Sequence, residues 1–334
     1  MKMHRLILIV SIVLCIYSTT NAQQIKILTT GNNSSLRGLC VVNDQTVWVS
    51  GSNGTVGLSI DGGNNFQWMT VKGYEKRDFR DIEAFDAKTA IIMGIDTSAI
   101  ILKTTDGGKS WKKVFEDKRT GMFLDAMEFW NELSGIVVGD PVDGKIFIAR
   151  TFDGGNTWRG LPDAYYPTAE KGEAMFASSG TNVRKLAKDE ACFVTGGMRS
   201  RLFIRDQKID LPITQGKETT GANSIAVWDK KNFIIVGGDF NNATSTEKNC
   251  AISKNAGKSF FAPVSPPLGY RSCVEYISKK VIVTCGITGV DLSDDSGMNW
   301  RTISAEGFHV VRKAIKGKAV FLAGSNGRVA RLLY

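Results

Sequence analysis

The side chains best able to do chemistry in this 334-residue chain are charged and aromatic residues that stand beside short apolar segments. The candidates are Arg37, Arg80, Asp81, Asp125, Asp140, Glu173, Asp239, Tyr270, Arg271 and His309. Arginine binds a carboxylate through two parallel hydrogen bonds. If the fold brings these residues together, they could bind an anion, a carboxylated sugar or a peptide terminus. They could equally form ion pairs along a wet channel wall, and the sequence leaves both readings open.

Several kinds of active site are excluded by composition. Of the two histidines, His4 falls in a leader segment and only His309 remains, which excludes His-rich zinc sites and the facial iron triad. The chain has no C-x-x-C and no haem-attachment pattern. The glycines of residues 51–57 lack the G-x-G-x-x-G spacing of a dinucleotide site. We therefore expect no metal and no cofactor.

A repeated turn motif shows which elements position the candidates. Three clean copies and two eroded ones occur at 59–66 (SIDGGNNF), 104–111 (TTDGGKSW), 151–158 (TFDGGNTW), 253–260 (SKNAGKSF) and 293–300 (SDDSGMNW). The Asp or Asn of each copy can accept hydrogen bonds from the amides of its own turn, and glycine supplies the positive φ. These five residues are Asp61, Asp106, Asp153, Asn255 and Asp295. A degenerate copy is expected near residues 203–206.

A second repeat places two strands before each turn. Seven short strands end in glycine, at 46–51, 90–94, 135–139, 192–196, 233–237, 281–286 and 320–324. An apolar strand precedes each of them, at 39–42, 82–85, 126–129, 183–186, 224–227, 273–277 and 310–314. With a further strand before and after each turn, one unit has four strands in about 45 residues, the size of a propeller blade.

The two ends of the chain complement each other. The last unit has only three strands and stops at Tyr334, and residues 24–28 form an extra strand before the first unit. If the extra strand completes the last unit, the ring closes and two sheet edges disappear. The sequence thus predicts an all-β, seven-bladed β-propeller whose N-terminal strand completes the last blade.

Strand direction then predicts where the candidates meet. Successive strands of a blade are antiparallel, so the repeated turns lie at one end of the ring. The loops into each innermost strand, and those after each repeated glycine, lie at the other end. The candidate residues therefore converge around the mouth of the central channel.

Residues 1–22 have the pattern of a secretory signal peptide. Lys2 and Arg5 precede an apolar run at 6–17, and we expect cleavage near Ala22 and export to the periplasm or the exterior. The run is too short to span a bilayer, and no later segment is apolar enough to anchor the chain. Residues 23–334 are expected to form a single domain.

The cysteines do not indicate a metal site or a redox motif. Five remain after cleavage, namely Cys40, Cys192, Cys250, Cys273 and Cys285, so at least one is unpaired. Cys273 and Cys285 lie on successive predicted strands and are the best-placed pair, but the sequence does not tell whether they form a disulfide.

The turn motif resembles the Asp-box, or BNR repeat, of sialidases, sortilin-type receptors and related propellers. Over nearly the whole mature chain, the sequence is also similar to exported bacterial propellers related to the photosystem II stability/assembly factor. The strings that carry this resemblance are 36–39 (LRGL), 78–82 (DFRDI), 129–130 (FW), 139–142 (GDPV), 172–174 (GEA), 177–181 (ASSGT), 237–239 (GGD), 269–272 (GYRS), 307–309 (GFH) and 327–332 (GRVARL).

That resemblance implies a non-enzymatic scaffold that binds a partner protein through an arginine patch. In this chain it implies that Arg37, Arg80 and Arg271 form the patch. We expect an exported binding or assembly protein whose partner is an envelope protein or an anionic or carbohydrate ligand. Its net charge of +9 is modest, and no nucleic-acid partner is expected.

The alternative is a sialidase-like glycoside hydrolase. Sialidases use an arginine triad, a tyrosine nucleophile and acidic residues on this scaffold, and here Tyr270, Glu173 and Asp81 would supply the last two. Against it, the Arg-Ile-Pro string of sialidases is absent, and adjacent residues such as Tyr270 and Arg271 point to opposite sides of a strand. Relatives are also labelled oxidoreductases, a less favoured alternative that no motif in this chain supports.

Overall fold

The computed structural model describes residues 23–95 and 98–334. The predicted signal peptide lies outside these residues, so its cleavage and the export of the chain stay predictions. Within the described ranges the chain forms 29 β-strands and one short 3-10 helix, Asp163–Tyr165. The fold is all-β.

Seven sheets form the seven blades of a β-propeller, which confirms the predicted fold class. Strand β1 (Gln24–Thr29) precedes blade 1, which comprises β2 (Leu36–Val41), β3 (Val47–Gly51), β4 (Thr55–Ser59) and β5 (Gln67–Thr70). Blade 2 comprises β6 (Phe79–Ala84), β7 (Ala90–Gly94), β8 (Ala99–Thr104) and β9 (Lys112–Asp117). Blade 3 comprises β10 (Leu124–Phe129), β11 (Gly135–Val142), β12 (Lys145–Thr151) and β13 (Arg159–Gly160).

The fourth and fifth blades interleave along the chain. In chain order the strands are β14 (Glu173–Ala174), β15 (Val183–Ala187), β16 (Glu190–Val194), β17 (Gly196–Gly197), β18 (Arg201–Ile204), β19 (Gln207–Asp210), β20 (Thr220–Trp228), β21 (Asn232–Asp239) and β22 (Cys250–Ser253). Blade 4 is β15-β16-β18-β19, and blade 5 is β20-β21-β22 with the short strands β14 and β17 added on its inner side.

The last two blades close the ring. Blade 6 comprises β23 (Cys273–Tyr276), β24 (Ile282–Gly286), β25 (Gly289–Ser293) and β26 (Arg301–Ser304), and blade 7 begins with β27 (Val310–Lys313), β28 (Val320–Ala323) and β29 (Val329–Leu333). Strand β1 pairs antiparallel with β29, Ile25 opposite Leu332, as predicted. Each innermost strand contacts those of its two neighbouring blades, including β27 with β2.

The apolar core lies between the blades. One cluster joins Trp48 and Leu58 of blade 1 to Ile82 and Leu102 of blade 2, and similar clusters join other neighbouring blades. Removing a side chain of this size from water stabilises the fold by about 1.5–3 kcal/mol. The ring is therefore held by contacts between sheets that face each other.

The repeated turns join the third strand of a blade to the segment that follows it, as predicted. In the turn around Asp106, the Thr104 hydroxyl donates to Asp106 Oδ1 at 2.8 Å and accepts from Gly108 N at 3.0 Å, and Ser110 N donates to the same Oδ1 at 3.0 Å. The turns at Asp61, Asp153, Asn255 and Asp295 repeat these bonds. We call the end of the ring that carries them the turn face and the opposite end, where the innermost strands begin, the start face.

Two blades depart from the predicted pattern. Instead of a degenerate turn motif, a tight hairpin joins β18 to β19, with Arg205 at φ 55°. In blade 5 the predicted outer strand is reduced to one antiparallel bridge between Ile252 and Phe261. Prolines at 263, 266 and 267 follow this bridge and cannot donate to a ladder, so a regular strand does not form there.

Candidate ligand-binding site

A β-bulge at the start of four innermost strands sets the geometry of the start face. In blade 3, Leu124 pairs with Gly139 and Ala126 with Val138, so Asp125 is the extra, unpaired residue. A Cβ at position 139 would collide with the carbonyl oxygen of Phe123, which explains the repeated glycine there. Such bulges redirect a side chain out of the sheet.

The bulge position, or the position that matches it, lies at the channel mouth in five of the blades. The extra residue is Arg37 in blade 1, Arg80 in blade 2 and Asn223 in blade 5. Ser272 and His309 hold the matching positions in blades 6 and 7. The residue after each of them pairs with the residue before the repeated glycine of that blade, Cys273 with Cys285 and Val310 with Ala323. All five line one cavity of about 420 Å³.

The two cavity arginines lie close enough to affect each other. Arg37 donates from Nη1 to the carbonyl oxygen of Ser178 at 3.3 Å, and Arg80 donates from Nε to Asp78 Oδ2 at 2.9 Å. Burial, and next the charge of Arg80, lower the pKa of Arg37. Neither guanidinium uses all of its donors, so both can bind an anion.

Two carboxyl groups lie beside these arginines in blade 3. Asp140 lines the cavity and accepts from Met175 N at 2.7 Å; burial raises its pKa to about 6. Asp125 is fully buried, and neither of its oxygens has a hydrogen-bond partner among the described residues. Burial, and then the nearby Asp140, raise the pKa of Asp125 well above its ordinary value.

Tyr270 and His309 complete the polar part of the cavity. The Tyr270 hydroxyl donates to Asn223 Oδ1 at 2.8 Å, and burial raises its pKa to about 12. His309 Nε2 lies 3.1 Å from Ser35 Oγ and 3.0 Å from Ser325 Oγ. Burial, and the nearby Arg37 and Arg80, lower the pKa of His309 to about 3, so the imidazole is neutral.

Arg271 does not reach this cavity, which corrects the expectation that three guanidinium groups share one pocket. It is fully buried, and its Nε donates to Asp291 Oδ2 at 2.7 Å. It also donates to the carbonyl oxygen of Tyr270 and to Thr288 Oγ1. Tyr270 lines the cavity and Arg271 does not, although both residues precede β23 rather than belong to it.

Four other candidates, Asp81, Asp125, Glu173 and Asp239, also lie outside the cavity lining. Glu173 is buried in an ion pair with Arg201, whose Nε donates to Oε1 at 2.9 Å. Asp81 is buried and accepts from Met127 N at 2.6 Å, and burial raises its pKa to about 7. Asp239 lies near Lys217, with 4.0 Å between its Oδ2 and the Lys217 Nζ.

Residues that the sequence did not single out also line the cavity. They are Phe123, Met175, Phe176, Ala177, Ser178, Asn223, Phe240, Ser272 and Ile287. Asn223 and Ser272 could have been found by aligning the repeats, because they occupy the position of Arg37 and Arg80. The aromatic residues come from loops that differ between blades, so no repeat signals them.

A segment that matches no other unit fills the channel beneath the cavity. Residues 176–181 contact the innermost strands of several blades: the Ser178 carbonyl oxygen accepts from Arg37, and the Thr181 hydroxyl lies 3.5 Å from Cys273 Sγ. Ser178 Oγ also donates to the Asn223 side chain at 3.0 Å. We call these residues the plug; they form the floor of the cavity.

Replacing Gly180 of the plug by alanine is expected to lower the free energy of unfolding by roughly 1–3 kcal/mol. Gly180 has φ +64°, and a Cβ there would collide with the buried Asp81 carboxyl group. Gly144→Ala is the matched control, because Gly144 has φ +75° and open space around its Cβ position. Urea unfolding of both variants checks this; equal losses would mean that the plug is not tightly packed.

All five described cysteines are buried free thiols. Cys273 lies directly opposite Cys285 on the neighbouring strand, the arrangement that the sequence suggested. Burial raises the pKa of Cys285 well above its ordinary value. The pair is reduced in this structure.

Over 23–95 and 98–334, no helix is both long and apolar enough to cross a membrane. Across the same ranges, no group of three or more His, Cys, Asp and Glu side chains is placed to hold a metal ion.

Comparisons with solved structures support the fold. The chain is similar to YCF48 bound to a D1 peptide, with a TM-score of 0.67 and 17% identity over 94% of this chain and 97% of that one. It is also similar to YCF48 from Cyanidioschyzon merolae, with a TM-score of 0.66 and 16% identity over 92% and 98% of the two chains. The WD40 propeller domain of Doa1 follows, with a TM-score of 0.64 and 15% identity over 94% and 97%.

The chain thus has the architecture of a seven-bladed propeller with a start-face cavity. At these identities the likeness extends to the fold alone. No protein-family model matches the sequence, and no curated protein matches it either.

Proposed function

We propose that this protein is a non-catalytic binding or assembly protein that holds a protein partner through an anionic group at the start-face cavity. The observation that carries the proposal is the pair of bulged arginines, Arg37 and Arg80, side by side in a cavity of about 420 Å³. Arginine matches a carboxylate in geometry as well as charge. The aromatic rings of Phe176, Phe240 and Tyr270 supply apolar contact area next to that charge.

A peptide segment of a partner protein suits this cavity better than a small sugar acid. The cavity has apolar as well as charged walls, which favours a ligand with side chains in addition to an anionic group. One structural neighbour, YCF48, is described as bound to a D1 peptide, which supports the same class of ligand. We therefore propose that this chain is an exported propeller with Asp-box turns, related to the photosystem II stability/assembly factor.

The geometry does not favour the hydrolase alternative. A sialidase-like mechanism needs three arginines, an activated tyrosine and acidic residues around one substrate. Here Arg271 is buried against Asp291, and Glu173 is paired with Arg201. Burial raises the pKa of Tyr270 to about 12 and so keeps its hydroxyl protonated, which opposes its use as a nucleophile.

We further propose that the protein acts outside the cytoplasm, in the periplasm or as a secreted protein. The support is the signal-peptide pattern of residues 1–22, with cleavage expected near Ala22. The partner is then an envelope or secreted protein.

Removing both cavity arginines is expected to weaken partner capture at least tenfold. The Arg37→Ala/Arg80→Ala protein and the wild type would be used as bait against the envelope fraction of the source organism. Captured proteins would be identified by mass spectrometry and their direct binding measured after purification. A matched control removes two exposed arginines elsewhere, Arg159 and Arg205.

If a protein captured by the wild type is no longer captured by the double variant, but is still captured by the control, the result supports the start face as the binding surface. Equal capture by the wild type and the double variant would refute it. The double variant avoids Arg271, whose removal is expected to destabilise the fold.

A further inference from the structure

The channel has a second opening, on the turn face. Two adjoining cavities of about 630 and 360 Å³ lie there and share Glu128, Lys185, Arg312 and Ile315. None of their lining residues belongs to the start-face cavity. This opening is therefore a separate candidate site.

Charged side chains from the innermost strands form its floor. Arg184 bridges two carboxylates, lying 3.3 Å from Glu128 Oε2 and 3.4 Å from Glu275 Oε2. Lys185 Nζ lies 3.5 Å from Glu128 Oε1. Glu128 and Glu275 thus already have cationic partners within the protein.

Arg312 is placed differently from Arg184. Its nearest carboxylate oxygen is Glu83 Oε1, 3.6 Å from Nη2, and no described residue makes a hydrogen bond with its guanidinium group. A guanidinium carries five N–H donors in a fixed fork that matches a carboxylate. Arg312 therefore presents unused donors to the cavity that it lines.

The walls and rim of the larger cavity are apolar. Phe85, Phe129 and Trp130 form part of the wall. Ile315 and Leu133 stand at the rim with 56% and 61% of their surface exposed. Exposed apolar side chains grouped around a concave, charged floor are typical of a binding site rather than of ordinary surface.

We propose that this cavity binds an amphipathic carboxylate, a molecule of the fatty-acid type. Its carboxylate pairs with the guanidinium of Arg312, and its apolar chain lies between the aromatic wall and Ile315. An amphipathic amine is disfavoured, because Arg312 and Lys185 would repel it at the floor.

The protonation of Glu83 suits this ligand and makes its binding pH-dependent. Burial, and then the nearby Glu128, raise the pKa of Glu83 to about 8, with Arg312, Asp81 and Lys185 also facing it. Below that pH Glu83 is mostly neutral and does not repel an anion. We therefore expect affinity to fall as the pH rises through about 8, and Glu83→Gln to remove this fall.

Calorimetric titration of the purified protein with decanoate at pH 7 tests the site. Arg312→Gln and Ile315→Glu are each expected to weaken binding at least tenfold, since one removes the donors and the other adds a charge to an exposed apolar rim. Arg205→Gln, at an exposed position, should leave binding unchanged. Decyltrimethylammonium, which has the same chain and the opposite charge, should not bind.

Each outcome decides the proposal. Undiminished binding by folded Arg312→Gln, or no binding of decanoate by the wild type, would overturn it. Loss of binding in Arg37→Gln/Arg80→Gln instead would assign decanoate to the start face and would also overturn it. If Arg312→Gln does not fold, Ile315→Glu decides, because that side chain is largely exposed and its replacement leaves the core intact.

Discussion

Replacing Arg271 by methionine is expected to lower the free energy of unfolding by about 3–5 kcal/mol, the cost of leaving one partner of a buried ion pair without the other. Asp291 is as buried as Arg271. After the substitution, the side-chain hydrogen bonds that Asp291 keeps among the described residues are those from Leu268 N at 3.0 Å and Thr302 Oγ1 at 2.7 Å. Those neutral donors do not replace the lost charge.

Two further variants separate charge burial from packing. Arg271→Met/Asp291→Leu removes both charges and should recover a large part of the lost stability. Arg199→Met, at a well-formed but exposed pair with Asp210, should change stability little. Urea unfolding of the three proteins at pH 7 provides the measurement. If Arg271→Met retains wild-type stability but loses partner capture, Arg271 is a binding residue after all.

The position of Arg271 could have been recognised from the repeats. Its place in blade 6 is that of Leu36, Phe79 and Phe308 in blades 1, 2 and 7, all buried between sheets. Ser272, not Arg271, holds the place of Arg37. Resemblance of residue type suggested a third cavity arginine, whereas alignment of the repeats places that residue in the core.

The fold itself could be predicted because each blade repeats the same local backbone features and the residue types that they require. A bulge needs a glycine opposite it, and a turn needs a hydroxyl and a carboxylate two residues apart, as at Thr104 and Asp106. The repeated glycine recurs seven times in the sequence and the turn motif five times. Ring closure followed from the unmatched strand at each end of the chain.

The charged floor of the turn-face cavity also has a repeat signal in the sequence. Glu83, Glu128, Glu275 and Arg312 each stand three residues after the channel-mouth position of their blade. Such a row at one level of the channel predicts a ring of charge. Which carboxylates find a cation depends on side chains from different blades, and this pairing cannot be derived from one unit.

The plug could be noticed but not placed by sequence reasoning. Residues 171–181 match no other unit of the repeat, so alignment of the units gives them no position. Their path depends on small side chains from several blades leaving room along the axis. Gly180 fits against Asp81 only because it lacks a side chain.

Replacing Asp140 by asparagine is expected to stabilise the protein at pH 7.5 by up to about 3 kcal/mol and to have little effect near pH 4. Burial raises the pKa of Asp140 from its ordinary 3.8 to about 6. Because the pKa is higher in the folded state, the neutral Asp140 side chain contributes stability that is fully present below about pH 4 and is lost as the pH rises through 6. A difference of one in pKa between the folded and unfolded protein changes the free energy of unfolding by about 1.4 kcal/mol. Asparagine does not ionise, and its Oδ1 can still accept from Met175 N.

Urea unfolding from pH 4 to pH 8 measures this difference, with Asp210→Asn at an exposed position as the control. Asp125→Asn should show the same sign, because burial and the neighbouring Asp140 also raise the pKa of Asp125. A variant that is less stable than the wild type at pH 7.5 would mean that the ionised carboxylate is held by Arg80. Gains that grow with pH would instead mean that blade 3 keeps two destabilising carboxyl groups beside the cavity arginines. Such a loss of stability beside the proposed binding cavity is what a functional, rather than merely structural, role for Asp125 and Asp140 predicts.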